Sequence, residues 1–278
     1  MKTRHATDPG QIPGFDTDAL RARFLVEDLF DGGDGGGGVT MVYSHEDRIV
    51  VGGVRPSGAP VRLETAEPLA ADHFLARREL GVVNVGTEPG TVTVDGADHE
   101  LGVKEVLYVG RGSREVSFAG SGGAAFYLVS TPAHATYPTR KGTLAEATPI
   151  SLGAQRSSNE RTIYKFIHAD GIQSCQLVLG ITELADGSMW NTMPAHVHGR
   201  RTEVYLYFGL DPDDRVVHLM GRPDQTRNLI VADRQAVISP SWSVHCGFGT
   251  GAYAFVWAMG GENTDYADVE PYPIAELR

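Results

Sequence analysis

The chain has only two cysteines, Cys175 and Cys246, far apart and in no CxxC pair. That excludes a disulfide framework and any cysteine-based zinc module. It fits two reduced thiols in a cytosolic protein. Positive charge is also scarce: 35 acids against 24 lysines and arginines give a net charge of -11. Such a surface repels phosphate backbones, so nucleic acid is not an expected partner, although a local group of arginines can still hold a small anion. No run approaches the ~20 apolar residues needed to cross a bilayer. The opening "MKTRHATDPGQIPGF" has no apolar core of a signal peptide. A cytoplasmic protein with no membrane partner is expected. A GxGxxG turn between strand and helix and a Walker lysine are both missing, so the glycine-rich segment 31–38 reads as a flexible loop and not as a phosphate cradle.

What is present is strand-like. Residues 1–15 read as a polar arm, and "DTDALRARFLVEDLF" (16–30) as one short helix capped by Asp16 or Thr17, with Leu20, Phe24 and Leu29 near one face. From Val39 onward, short runs of β-branched and aromatic residues alternate with Gly, Pro and Asp turns. Examples are "RIVVGGV" (48–54), "ELGVVNVG" (79–86), "AAFYLVS" (124–130), "EVYLYF" (203–208) and "AYAFVWAMG" (252–260). Many short strands at close spacing predict an all-β protein built of sandwiches or barrels. The less patterned stretch 131–162 divides the strands into two sets. The expected organisation is an arm, helix and glycine loop (1–38), a first β-domain (39–150) and a second (151–278).

A faint internal repeat supports two copies of one β-domain. Laying "HFLARRELGVVNVG" (73–86) on "HVHGRRTEVYLYFG" (196–209) puts His73 on His196 and Arg77–Arg78 on Arg200–Arg201. Leu75 then stands where the second copy has His198, and Leu80 where it has Glu203. Glu115 falls at the place of His245. Only the second copy has kept a metal-binding set.

That set is the main chemical signal. A strand points residues i and i+2 to one face, so His196 and His198 share a side. Glu203 lies at an odd step, which an unbroken strand would turn away; "GRR" (199–201) supplies a turn that lets it face inward again. Tyr205 and Tyr207 continue its face. His245, shortly after "SPSW", offers a fourth ligand from a distant strand. Three imidazoles and a carboxylate suit zinc, iron, manganese, cobalt or nickel. His45, His134 and His218 have no partner at ligand spacing and read as structural.

HxH-x4-E followed by P-x-W-x-x-H resembles the paired motifs of the cupins. The segments "FLVEDLF", "TMVYSHEDRIVVGG", "FLARRELGVVNVG", "WNTMPAHVHGRRTEVYLYF" and "AVISPSWSVHCGFGT" extend the likeness. Across residues 24–263 the chain resembles the 5-keto-4-deoxyuronate isomerase family. The resemblance implies a bicupin of two tandem jelly-roll-like β-barrels after a short N-terminal helix. It implies one Zn2+ per chain on His196, His198, Glu203 and His245, a homo-hexamer, and an aldose–ketose isomerisation in pectin or uronate breakdown. A uronate substrate carries a carboxylate, for which Arg161 and Lys165 are the candidates, with Trp242 as a pocket wall. Arg200 and Arg201, on a strand-joining turn, are expected to be solvated. The general base is not assignable at this stage. Competing readings are another metal-dependent cupin enzyme, a different hexuronate isomerase or a dioxygenase, and a non-catalytic sugar-binding bicupin.

Overall fold

A computed structural model describes residues 1–32 and 37–278. Half of the expected glycine loop, 33–36, lies outside the described residues.

The protein is mostly β, as expected. By contacts the chain divides into two units that interleave in sequence. One holds Met1–His5, Asp28–Thr148 and Phe166–Leu179, and the other Ala6–Glu27, Pro149–Lys165 and Gly180–Arg278. The exchanged pieces were not legible from a division near residue 150. The residues expected to be a loose arm are ordered in the fold: Lys2–Arg4 pairs in parallel with Thr40–Ser44, and Ile12 is buried. The helix is shorter than expected. Asp16 caps it by accepting from the Ala19 amide, and it runs only Thr17–Phe24. Leu25 and Val26 then leave helical geometry and pair with Val237 and Ala236. The run "FLV" is wholly buried, and an edge strand buries it on both faces, which an eight-residue helix does not.

The first unit contains a seven-stranded sheet in the order Lys2–Arg4, Thr40–Ser44, Val50–Val54, Phe126–Pro132, Arg78–Asn84, Val106–Val109, Arg140–Gly142. A four-stranded sheet packs against it. Val82 and Leu107 from the large sheet share a core with Val92 and Phe118 from the small one. The large sheet of the second unit runs Ile150–Leu152, Arg161–Ile167, Val178–Leu184, Ala254–Gly261, Arg201–Phe208, Ala236–Ser239, Leu25–Val26. Its smaller sheet has five strands, among them Trp190–Val197 and His245–Gly249. Each barrel is therefore two sheets and not a closed ring of hydrogen bonds.

The five central strands follow the same order in both large sheets, and the register at the middle of each corresponds. Leu80 pairs with Val109 and Ser130 on its two sides, as Glu203 pairs with Ser239 and Met259. The weak sequence repeat is thus a structural repeat, with Leu80 in the position of Glu203.

In the first unit, Glu79 points away from the Leu80 face into a fully paired buried niche. Its carboxylate accepts from Tyr108, Thr131 and the amides of Cys175, Gln176 and Leu177, at 2.7–3.0 Å. Five donors satisfy a charge that burial would otherwise penalise by several kcal/mol, on the order of 5. This carboxylate is structural.

Candidate metal centre

His196 ends the strand Trp190–Val197, and His198 follows it. The turn "HGRR" closes with the Arg201 amide donating to the His198 carbonyl at 3.1 Å. The chain then re-enters the large sheet as Arg201–Phe208, with Glu203 facing back toward the histidines. His245 opens the strand His245–Gly249, which pairs antiparallel with Trp190–Val197 so that His196 and His245 are direct partners. Strands were expected at both histidine motifs, but their extent was not legible. Pro194 in one and Gly247 and Gly249 in the other break the alternation that marks a strand.

The four side chains converge. Their ligand atoms all lie within 4.8 Å of one another. One Glu203 oxygen is 2.7 Å from Nε2 of both His198 and His245, and Nε2 of His245 is 3.1 Å from Nε2 of His196. Each Nδ1 faces a backbone carbonyl: Pro194 for His196 (3.3 Å), Asp268 for His198 (3.0 Å) and Ser243 for His245 (3.3 Å). Those contacts place a proton on Nδ1 and leave the Nε2 lone pair facing inward. Burial and the neighbouring His245 hold His196 down to about 3, so the imidazole stays neutral at physiological pH. Burial opposes charge on Glu203, but His198 and His245 outweigh it and keep the carboxylate well below its usual range. Burial also opposes charge on His198, and Glu203 outweighs it and draws the imidazole upward. Inward lone pairs and an anionic oxygen at such spacing repel one another unless a cation sits among them. The donor set and its backbone supports fit a divalent ion, and these residues can hold one.

The cluster forms part of the lining of a cavity of about 290 Å³. Arg161 also lines it, as do Thr192, Tyr205, Trp257 and Tyr266. Arg161 is half-buried. Its Nη1 donates to the Asn159 carbonyl at 3.1 Å, while its Nε is buried without a partner. Burial lowers the guanidinium from its ordinary value, with Tyr266 opposing the shift. Tyr205 hydroxyl bonds Thr192 at 2.7 Å.

The other two substrate-binding candidates lie elsewhere. Lys165 shares a strand face with Arg161 but rests its ammonium 5.0 Å from the Tyr266 ring centroid and does not line the cavity. Trp242 packs edge-on against Phe24 of the helix, with 6.2 Å between centroids. Tyr207, on the same strand face as Tyr205, is fully buried and bonds Nδ1 of His218 at 2.8 Å, so both are core groups. The turn arginines divide. Arg200 is on the surface, paired with Asp268 and Glu270. Arg201, expected to be solvated, is fully buried and donates to the carbonyls of Asp265 and Asp268 at 2.7 and 2.8 Å. It thereby fixes the segment that brings Tyr266 to the cavity.

In the first unit the equivalent positions do not gather. Leu75 and Leu80 are buried and apolar, and Glu115 is exposed and paired with Arg62 at 2.7 Å. The expected result of His73→Ala is therefore unchanged metal stoichiometry by mass spectrometry. Loss of one equivalent would mean that the first unit also holds metal.

Comparisons with known proteins agree with this geometry. The family model described as KduI/IolB matches residues 31–271. The 4-deoxy-L-threo-5-hexosulose-uronate ketol-isomerase of Kineococcus radiotolerans is 54% identical, with 100% of each chain covered. The Bacillus subtilis protein of the same name is 48% identical, again over 100% of both. Among solved structures, an IolB-like protein from Salmonella typhimurium aligns with a TM-score of 0.66 at 15% identity, over 81% of this chain and 86% of that one. A Bacillus subtilis oxalate decarboxylase gives 0.61 at 14%, over 89% and 79%. At those identities the structures speak for the fold alone, a cupin β-fold.

Proposed function

This chain belongs to the KduI/IolB family and is a ketol-isomerase, and we propose that it converts 5-dehydro-4-deoxy-D-glucuronate (4-deoxy-L-threo-5-hexosulose uronate) to 3-deoxy-D-glycero-2,5-hexodiulosonate in the breakdown of pectin and related uronate polymers. One observation carries the reading: of the converging three imidazoles and carboxylate, His196, His198 and Glu203 line a cavity that also presents Arg161 with an unpartnered buried Nε.

The isomerisation removes the proton on C2, passes through an enediolate and delivers a proton to C1, while the hydroxyl proton moves from the C2 oxygen to the C1 oxygen. His196, His198, Glu203 and His245 would hold a divalent ion, which when bound would supply an electrophile for the substrate carbonyl. The remaining work falls to the chain. Arg161 binds the substrate carboxylate and so fixes which end of the molecule meets the histidines. Phe255, Trp257 and Met259 wall the cavity with apolar surface and exclude water. Burial pushes the phenols of Tyr205 and Tyr266 up, so they keep their protons at neutral pH and donate hydrogen bonds to substrate oxygens without serving as bases. Among the described residues, Glu203 is the one carboxylate lining the cavity.

The same reading takes the ion as zinc, one per chain, the assembly as a homo-hexamer and the location as cytoplasmic. The nitrogen-rich donor set supports zinc, and the family resemblance supports the assembly.

The test is turnover of freshly prepared substrate followed by NMR, with and without a chelator and zinc add-back. Conversion that is lost to the chelator and restored by zinc is expected. No conversion by folded, metal-loaded protein would overturn the substrate assignment.

A further inference from the structure

A second cavity, of about 180 Å³, lies within the first unit. Arg48, Arg77 and Arg78 line it together with Tyr43, Leu69 and Phe74, and among the described residues no carboxylate lines it. Tyr43 and Phe74 belong to the core of this unit, so the cavity opens off the barrel interior and not off a loose surface loop.

Arg78 is 7% exposed. Its Nε donates to Ser130 Oγ at 3.0 Å, and its Nη2 to the carbonyls of Arg48 and Ser130 at 2.6 and 2.7 Å. Neutral acceptors thus hold the fork in place, and Nη1 is left over. The guanidinium lies 5.9 Å from the Tyr43 ring centroid. Burial lowers it to about 10. The neighbouring acid, Glu79, is on the other strand face with its carboxylate already taken by five donors. Arg77 donates to the Ala70 carbonyl. Among the described residues, none of the three arginines forms an ion pair.

The second unit provides an internal control. Arg200 and Arg201 occupy the positions of Arg77 and Arg78 in the repeat; there Asp268 and Glu270 pair with Arg200, while Arg201, like Arg78, donates to neutral carbonyls. In the first unit Arg77 has no such acid partner among the described residues, and it lines the cavity instead. A buried cation without an anion is costly, and a chain of net charge -11 has many carboxylates with which it could have been paired. Three guanidinium groups around an apolar-walled hollow make a receptor for a compact organic anion.

We propose that this cavity is a second binding site, separate from the metal centre, for a small organic anion held through its carboxylate or phosphate head by Arg48, Arg77 and Arg78. The site does not depend on the isomerase reading.

The experiment is equilibrium dialysis of the metal-loaded protein against labelled D-galacturonate, inorganic phosphate and uncharged galactose. It is run on the wild type, on Arg161→Met, and on Arg48→Asn and Arg77→Gln singly and together. Asparagine tolerates the positive φ of 53° at position 48, and glutamine can keep the bond to Ala70. One equivalent of galacturonate or phosphate should bind in the Arg161→Met protein and weaken about tenfold or more when the pocket arginines are replaced, with metal content and melting temperature unchanged. Galacturonate binding alone identifies a carboxylate head, and phosphate binding alone a phosphate head. The proposal fails if neither anion binds apart from the catalytic cavity. It also fails if galactose binds as well as the anions, or if the substitutions leave binding unchanged.

Discussion

His245→Ala should reduce kcat/KM by about a thousandfold or more, a loss of ~4 kcal/mol of transition-state stabilisation. His245 is 1% exposed, and its Nε2 stands 2.7 Å from Glu203 and 3.1 Å from Nε2 of His196. Without it the set falls to two imidazoles and a carboxylate, and the ion loses the partner that joins the two sheets at this point. His196→Ala should behave alike. The fold should survive, because the barrel is held by the pairing of Arg201–Phe208 with Ala254–Gly261 and Ala236–Ser239, which these substitutions leave intact. Three measurements check this: steady-state kinetics, metal per chain by mass spectrometry, and far-ultraviolet circular dichroism. A metal-free His245→Ala protein with full turnover would end the metal-dependent mechanism.

Arg161→Met should lower kcat/KM for the uronate by about ten- to a hundredfold while metal content stays at the wild-type level. The magnitude is that of a charge-assisted hydrogen-bonded pair with a carboxylate, removed without leaving a new charge behind. Methionine keeps most of the side-chain volume, so the cavity wall formed with Ile163 and Tyr266 remains. Arg161→Lys should recover only part of the loss, since an ammonium cannot present the planar fork. Lys165→Met is the control. Its ammonium rests on the Tyr266 ring and not in the cavity, so its effect should stay within about threefold, the size of an exposed cation–π contact. A Lys165→Met defect equal to that of Arg161→Met would reverse the assignment of the carboxylate partner.

The contrast between Arg161 and Lys165 shows where reading a sequence stops. Both were legible as cations on one strand face near the start of the second set of strands. Period-two alternation gives the face, but how far along the strand the cavity extends depends on Tyr266, about a hundred residues later, which closes the cavity between them. Trp242 failed for a related reason: an aromatic in a turn packs against whatever lies nearest, and the helix Thr17–Phe24 comes from the other end of the chain. Arg201 was misjudged because turns are usually wet. Here the turn is covered by the segment 265–268, whose carbonyls need its donors.

Pattern and spacing alone carried the all-β class, the sequence repeat and the four residues of the cluster that could hold a metal. Those features are local or strictly spaced: strand alternation, an i and i+2 pair, a turn that restores the inward face, and a second histidine motif. The tertiary structure alone decided the rest. It showed that Leu25–Val26 and Lys2–Arg4 are edge strands, that His196 and His245 are direct cross-strand partners, and that one repeat pairs its first arginine with acids where the other has both arginines lining a cavity. These depend on contacts between residues far apart in the chain. No local pattern encodes which distant carbonyl, carboxylate or ring will arrive to complete them.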